Sequence, residues 1–301
     1  MRAMYGKLPV ATLCGLFGKS RQAWYDLQGR RQEDLFHEQV IVELVQQKRA
    51  LLPRVGGIKL MAMLAGDLAD HRIDIGRDAF YAVLRNNGLL VPCKRRYATT
   101  TQSSHHFKKW PDLVQRRHAG RPEEIWVSDI TYLRTQSGFI YLSLITDAFS
   151  RKIVGYHLSQ SLKATGCIAA LNKAVSGRSY PDRSLIHHSD RGIQYCCDAY
   201  VKALLDNHLQ ISMTQDGSPY DNAIAERVNG ILKAEFDLYR TFDSYKAAID
   251  PVCRAIATYN SIRPHFSCNL QTPDQAHRRQ EENTPKVFSD DDGKTCQVIS
   301  V

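Results

Sequence analysis

Apolar and polar positions change their period along this chain, and the change divides it. From Val10 to Leu16 the apolar residues Val10, Leu13 and Leu16 share one helical face, and Ser20, after Gly18-Lys19, stands where a helix cap belongs. The helix that Ser20 would cap carries Arg21, Gln22 and Trp24. This is the outline of a helix-turn-helix with Arg21 as a candidate DNA contact, although a plain helical hairpin fits the same residues. A longer helix is predicted from about Glu33 to Leu51, then a Gly56-Gly57 break, then a helix with Ile58, Leu60, Met61 and Leu64 inward. The next predicted helix runs from Ala79 to Asn87 and is closed by Gly88 at its C′ position. It completes a second helix-turn-helix candidate, with Arg77, Tyr81 and Arg85 as possible DNA contacts. Lys94-Arg95-Arg96 follow directly and read either as a grip on phosphates or as a solvated face. Residues 97–120 are rich in Thr, Ser, His and Lys with little periodicity, and are expected to be a linker.

From Glu124 the period becomes two. Ile125, Val127, Asp129, Thr131 and Leu133 share one face of a predicted strand, with Trp126, Ile130 and Tyr132 on the other. Strands from Phe139 to Thr146 and from Lys152 to Leu158 complete an antiparallel meander. Then come a helix from Ala164 to Val175, a strand from Ser184 to His188, a helix from Asp198 to His208 and a strand from Gln210 to Met213. A last amphipathic helix, opened by Asp221 or Asn222, carries Ile224, Val228, Ile231 and Leu232 at helical spacing. The order implies a mixed α/β layer architecture. Residues 283–301 are polar and expected to be a disordered tail.

Charge sharpens this division. Residues 1–120 hold 20 Lys and Arg against 10 Asp and Glu, so the whole net charge of +9 is N-terminal and the remainder of the chain is close to neutral. A basic half ahead of an α/β half suits a protein that meets a polyanion. No predicted helix pairs a Lys/Arg face with a broad Trp/Phe/Leu face, which argues against a membrane surface as that polyanion. The eight cysteines include no CxxC pair and no His partner at zinc-finger spacing, so they read as reduced, mostly buried thiols of a cytosolic protein. The apolar run from Pro9 to Phe17 is too short to span a membrane, and no export is implied.

Candidate chemistry enters through three carboxylates. Asp129 interrupts an apolar strand, where an unpaired carboxylate is costly to bury. Asp190 follows another strand at its C-terminal end, the usual place for functional side chains in an α/β sheet. Glu226 lies in the last amphipathic helix, with Lys233 two turns further along the same face. A salt bridge to Arg191 or Arg151 would explain either aspartate alone, and a solvated face would explain the Glu-Lys pair. Three oxygen ligands on neighbouring elements instead suit Mg²⁺ or Mn²⁺.

The motifs containing these residues are long. They are Trp126-Val127-Ser128-Asp129-Ile130-Thr131-Tyr132, Asp147 to Gly155, His187-His188-Ser189-Asp190-Arg191-Gly192-Ile193-Gln194-Tyr195, and Asp221 to Lys233, with 35 residues between Asp190 and Glu226. Together with Tyr259-Asn260-Ser261-Ile262-Arg263-Pro264-His265 and Thr272-Pro273, the chain from about 40 to 280 resembles bacterial insertion-sequence transposases with a retroviral-integrase-type core. Within these it is similar to the downstream product of the family made from two overlapping reading frames.

The resemblance implies a ribonuclease-H-like fold preceded by an all-α helix-turn-helix region. It also implies Asp129, Asp190 and Glu226 as a triad holding two Mg²⁺ or Mn²⁺ ions, Lys233 as a DNA-binding lysine, and cleavage and strand transfer at the ends of a mobile element. The partners it implies are double-stranded terminal and target DNA, further copies of this chain, and an upstream-frame product as partner or fusion. His187 and His188 are expected as walls of the site, and Ser128, Ser189 and Tyr132 as packing or hydrogen-bonding residues rather than nucleophiles. The implied segments are 1–32 (helix-turn-helix-like), 33–96 (helical, DNA-binding), 97–120 (linker), 121–282 (catalytic core and closing helices) and 283–301 (tail). The chain lacks the His-His-Cys-Cys spacing that precedes the core in retroviral integrases, which disfavours that relative. Two rivals remain at this level: a DNA-binding regulator without catalysis, and a nuclease for RNA·DNA hybrids.

Overall fold

A run of helices precedes the sheet: α1 (Val10–Leu16), α2 (Arg21–Leu51), α3 (Gly57–Asp70) and α4 (Arg77–Asn86). The computed structural model describes residues 9–91, 108–115, 117–215 and 223–278, apart from the side chains of residues 30 and 31. Lys94-Arg95-Arg96, the first part of the expected linker and the tail after 282 therefore lie outside the described residues.

Ser20 does cap a helix, its Oγ accepting from the Ala23 N–H at 3.0 Å. The helix it caps is longer than expected, because α2 continues without a break through position 32 to Leu51. The two segments separated in the sequence reading at 32/33 share this helix; Gly29 weakens it but stays within it. Packing begins only in its second half, where Ile41 and Val45 join Leu60, Leu64, Phe80 and Leu84 in a buried core. Ile58 was expected inward but is 48% exposed, since Leu60 and Leu64 already point that face of α3 into the core. Gly88 ends α4 with φ +65°, the left-handed conformation that suits a residue without a Cβ.

The second half holds β1 (Ile125–Thr135), β2 (Gly138–Asp147), β3 (Ile153–Ser159), α5 (Ala164–Ser176), β4 (Ile186–Ser189), a short α6 (Ile193–Cys196), α7 (Asp198–Asp206) and β5 (Gln210–Met213). These are followed by α8 (Ala223–Glu235), α9 (Tyr245–Ser261), a 3-10 turn (Phe266–Cys268) and α10 (Pro273–Arg278). The sheet runs β3-β2-β1-β4-β5, with the first three strands an antiparallel meander and β4 and β5 parallel to β1. This is the ribonuclease-H-like, mixed α/β architecture that the resemblance implied.

The alternation read in β1 sorts its two faces. Leu133, Leu142, Leu144 and Leu158 pack with Val228, Ile231 and Leu232 of α8 and Val252 and Ile256 of α9, a core continuous with that of α2 to α4. Trp126 and Ile145 pack on the other side with Ala170, Leu171, Tyr200 and Leu204 of α5 and α7. Here β3 and α5 approach so closely that a Cβ on Gly155 would run into the Ala170 carbonyl oxygen and lie 2.7 Å from the Ala174 methyl carbon.

The expected linker is not a free tether over its second half. Trp110 packs against the α5/α7 core, Leu113 N–H donates to Ser212 Oγ at 2.9 Å, and the Pro111 carbonyl accepts from Met213 N–H. The open edge of β5 and a large indole supply the partners that this polar composition concealed.

Two buried ion networks tie the outer helices to the sheet. Glu123, just before β1, accepts from the N–H groups of Ser179 and Tyr180 and pairs with Arg178 at 3.2 Å and with His277 of α10 at 3.6 Å. Burial alone would raise its carboxyl, but these donors hold it at about 2. Glu235, at the end of α8, accepts from Arg263 through both oxygens at 2.7 Å and from Lys59 of α3 at 2.9 Å. Burial opposes ionisation of Glu235, yet the two cations keep its carboxyl below the usual range.

Glu235→Ala leaves Arg263, 1% exposed, and Lys59 buried without their carboxylate. Breaking a buried pair in this way costs about 3–5 kcal/mol. Urea unfolding at neutral pH is expected to read a loss of that size. Because the folded carboxyl is depressed, the loss shrinks as pH falls through the carboxylate range. A variant within about 1 kcal/mol of the parent at neutral pH would show that the clamp is not stabilising.

Candidate active site

The sheet brings two carboxylates together by register. Ser128 on β1 is the Cα partner of Ser189 on β4, so Asp129 and Asp190 are the next residues along two adjacent parallel strands, at the end where that pairing stops. Asp190 follows the last residue of β4, and its Oδ1 accepts from Gly192 N–H at 3.0 Å, a local turn that holds the carboxylate against the strand end. Asp129 remains inside β1, opposite Leu144 of β2, on the face that α8 covers. Its Oδ1 accepts from Ile130 N–H at 2.9 Å and its Oδ2 from Asn229 Nδ2 at 2.7 Å.

Helix α8 supplies the rest. Ala225, Val228, Ile231 and Leu232 are buried beneath it, and Glu226, Asn229 and Lys233 recur at spacings of three and four along a neighbouring face. The residues expected to cap it, Asp221 and Asn222, lie outside the described residues. Glu226 is exposed and Lys233 half-buried, its Nζ 5.9 Å from the centre of the Tyr239 ring.

The charges of this group act on one another. Burial and then the Asp190 carboxylate raise Asp129 to about 7; the Ile130 and Asn229 donors oppose the rise, and Glu226 adds to it. Glu226 is raised by partial burial and by Asp190. The Lys233 ammonium is lowered by burial, while Asp129 pulls it the other way. Among the described residues no group of three His, Cys, Asp or Glu side chains is placed to hold a metal ion, so Asp129, Asp190 and Glu226 influence one another's charge without closing on a single ion site. Asp129, Asp190 and Glu226 offer oxygen donors, the kind Mg²⁺ takes alongside waters and phosphate oxygens.

Asn229 was missed in the sequence reading. Its signal was its place three residues after Glu226 on the face that carries Lys233. It is 6% exposed, and its Oδ1 is buried without a hydrogen-bond partner in the structure.

His187 is not a wall of the site. It is fully buried on the opposite face of the sheet, 2.6 Å from Ser128 Oγ and 2.9 Å from Tyr200 OH, and burial and His188 lower its imidazole to about 3. His188 is also buried, its Nδ1 2.8 Å from Ser212 Oγ. Two consecutive strand residues point to opposite faces, and both faces are covered here. Ser128 accordingly packs inside, whereas Tyr132 is 42% exposed in edge contacts with Phe139 and Tyr141. Arg151, a possible partner of either aspartate, turns to Ser267 Oγ and the Ala148 carbonyl.

Of the candidate DNA contacts, Lys233 lies beside the carboxylates on α8, whereas Arg21, Arg77, Tyr81 and Arg85 belong to the helical region. Arg21 and Arg85 are exposed, and Arg77 is exposed beside Asp78 at 3.0 Å, a surface pair of small energetic worth. Tyr81 is half-buried because its ring lies over Gly57, where a Cβ would come within 2.7 Å of it.

This geometry meets the comparisons with known proteins. Residues 119–219 match a family model described as an integrase core domain, and residues 207–273 match a second model of the same description. The chain is 32% identical over 260 residues to the "Insertion element IS600 uncharacterized 31 kDa protein" of Shigella sonnei, covering 84% of this chain and 93% of that protein. It is 34% identical over 196 residues to the transposase InsF for insertion sequence IS3A of Escherichia coli K12, covering 64% of this chain and 68% of that protein. The chain belongs to the insertion-sequence transposases with an integrase-type core. Among solved structures, the HTLV-2 integrase catalytic core domain in complex with magnesium is similar to the transposase at a TM-score of 0.43 and 19% identity, covering 52% of this chain and 98% of that one. Family membership makes the transposase a polynucleotidyl transferase, which removes the regulator and hybrid-nuclease rivals.

The raised Asp129 has a consequence for stability. Its folded value of about 7 lies above that of an unfolded aspartate, so ionising it weakens the fold. The weakening is absent below pH ~4, grows between about 4 and 7, and is complete above. Asp129→Asn is therefore expected to stabilise the metal-free transposase at pH 8 by on the order of 1–2 kcal/mol, with the gain vanishing near pH 4. Urea unfolding in EDTA at the two pH values checks this, and equal stabilities at pH 8 would contradict the raised carboxyl.

Proposed function

We propose that the transposase cuts and joins DNA strands at the ends of its own insertion sequence, with Asp129, Asp190 and Glu226 as the catalytic and metal-holding triad for two Mg²⁺ or Mn²⁺ ions. The observation that carries this reading is the strand register that sets Asp129 and Asp190 side by side on β1 and after β4 beneath α8, where burial and Asp190 raise Asp129 to about 7 and Glu226 is raised by burial and Asp190. Divalent cations relieve such strain, and an all-oxygen donor set suits hard ions. When bound, such ions make a water or a DNA 3′-hydroxyl a better nucleophile and stabilise the leaving oxygen.

The chain's own residues then have separate tasks. Asn229 holds Asp129 Oδ2 and so fixes the orientation of its carboxylate. Lys233, drawn toward Asp129 along the same face of α8, supplies a cation for a phosphate beside the triad. The exposed Arg21, Arg77 and Arg85, with Tyr81 and the Lys94-Arg95-Arg96 triplet, bind duplex DNA, which the basic excess of residues 1–120 supports. In this reading residues 1–96 deliver DNA, 97–120 connect, and 121–282 perform the chemistry ahead of the tail at 283–301. Copies of the chain act together on two element ends, with an upstream-frame product as a further partner, on double-stranded DNA in the bacterial cytoplasm and nucleoid. Among the described residues no helix is long and apolar enough to cross a membrane.

Asp129→Asn and Asp190→Asn are each expected to lower Mg²⁺-dependent nicking of a terminal-repeat duplex by on the order of 10³-fold or more. Gel-shift affinity for the same duplex should stay within about twofold. Either variant cutting at the parent rate would remove that residue from the triad.

Lys233→Ala is expected to weaken strand transfer at subsaturating DNA by about tenfold, the worth of one charge-assisted contact, with folding unchanged. Lys233→Arg should recover part of that loss. A Lys233→Ala protein that joins terminal DNA at the parent rate would return the lysine to the solvated face and its contact with Tyr239.

A further inference from the structure

A second group of charged side chains lies where α3, α8 and the segment after α9 meet. A cavity of about 320 Å³ opens there, lined by Lys59, Arg151, Arg227, Arg263, His265 and Phe266 among others, and by no carboxylate among the described residues. Glu235 neutralises part of this charge from behind, binding Arg263 and Lys59. Arg151 bonds only neutral oxygens, those of Ser267 and Ala148. Arg227 is exposed and makes no hydrogen bond or ion pair among the described residues. Four cations thus face one carboxylate, an excess that a purely structural network would avoid.

The imidazole of His265 adds a donor. Ser267 Oγ already accepts from Arg151 Nε, so its hydroxyl proton is directed at His265 Nδ1, 2.9 Å away. That places the ring proton on Nε2, which is buried and has no hydrogen-bond partner among the described residues. Burial and then Arg263, Arg151, Lys59 and Arg227 lower this imidazole to about 3, so the ring is neutral at physiological pH and donates through Nε2 alone. Beside it Phe266 is 56% exposed, with Lys59 Nζ 5.4 Å from its ring centre.

We propose that this cavity seats a backbone phosphate of the DNA, with Arg227 as its principal cation, His265 as a neutral donor and the Phe266 ring as a surface for the adjoining nucleotide. The inference rests on the DNA-cutting reading above. A cluster of arginines and lysine with an unpaired donor recognises phosphate oxygens. An exposed aromatic ring at its edge suits a nucleotide rather than a free anion. Placement favours the DNA strand too: Arg227 follows Glu226 on α8, so one helix presents the carboxylate to the sheet site and the guanidinium to the cavity. A strand held at both would cross the joint between the helical region, through Lys59, and the catalytic core.

The test uses the full chain and terminal-repeat duplexes in which one phosphate at a time is replaced by a neutral methylphosphonate. Arg227→Ala is expected to weaken binding of the unmodified duplex about tenfold and to reduce the slope of log K against log[salt] by about 1. Arg227→Lys should restore part of both. One methylphosphonate position should weaken the parent and leave Arg227→Ala unaffected, which a merely structural arginine would not produce. An Arg227→Ala protein with parental affinity and slope, while the parent binds and cuts, overturns this inference alone. Failure of the parent to bind any duplex overturns the DNA reading and this site with it. Competition by millimolar inorganic phosphate that needs Arg227, with no sensitive methylphosphonate position, assigns the cavity to a free anion and overturns the DNA assignment.

Discussion

The constraint on which this structure turns is the partial burial of the Asp129 carboxylate inside β1, beneath α8 and beside the strand end that carries Asp190. An ionised group in such a place is unfavourable unless something compensates it, and here the compensation is incomplete by design of the fold. Two donors, Ile130 N–H and the Asn229 amide, stabilise its charge. Asp190 and Glu226 act against it, and the net result is a carboxyl near 7. The sheet offers no escape, because the register that pairs Ser128 with Ser189 brings the two aspartates to adjacent strands. Strain of this kind is concentrated at functional sites.

Helix α8 connects that constraint to the rest of the molecule. Its apolar residues fill the core over β1, one flank carries Glu226, Asn229 and Lys233, Arg227 faces the basic cavity, and Glu235 ends it in the clamp with Arg263 and Lys59. The backbone repeats the link, since Arg54 N–H donates to the Glu235 carbonyl at 3.1 Å. The helical region is therefore joined to the core by a continuous apolar cluster and a buried ion network. Any shift of α8 would move the carboxylates and this joint together.

All but one of these departures from expectation share a physical cause. Composition and period report on a segment's own preferences, whereas the differences arise from partners far along the chain. Residues 108–115 look like linker until the edge of β5 and the α5/α7 core supply bonds for Leu113 and a place for Trp110. His187 looks like a site residue until Tyr200 of α7 and Ser128 claim it on the opposite face of the sheet. The extension of α2 is the opposite case: exposed Gly29 is a local break signal, and the surrounding helix formers override it.

What the sequence by itself determined is the order and type of the elements from β1 to α8 apart from the short α6, the two faces of β1, the boundary between a basic helical part and an α/β part, and Asp129, Asp190 and Glu226 as the residues to watch. Each depends on local period, on charge placement or on motif spacing, which a linear chain displays. The tertiary structure alone decided how those residues act on one another. Parallel pairing of β1 with β4 sets the two aspartates side by side, the packing of α8 brings Asn229 to Asp129, and the meeting of Lys59, Glu235 and Arg263 gathers positions 59, 235 and 263 into one clamp. Electrostatic coupling and desolvation depend on distance and burial in space, and neither is a property of spacing along the chain.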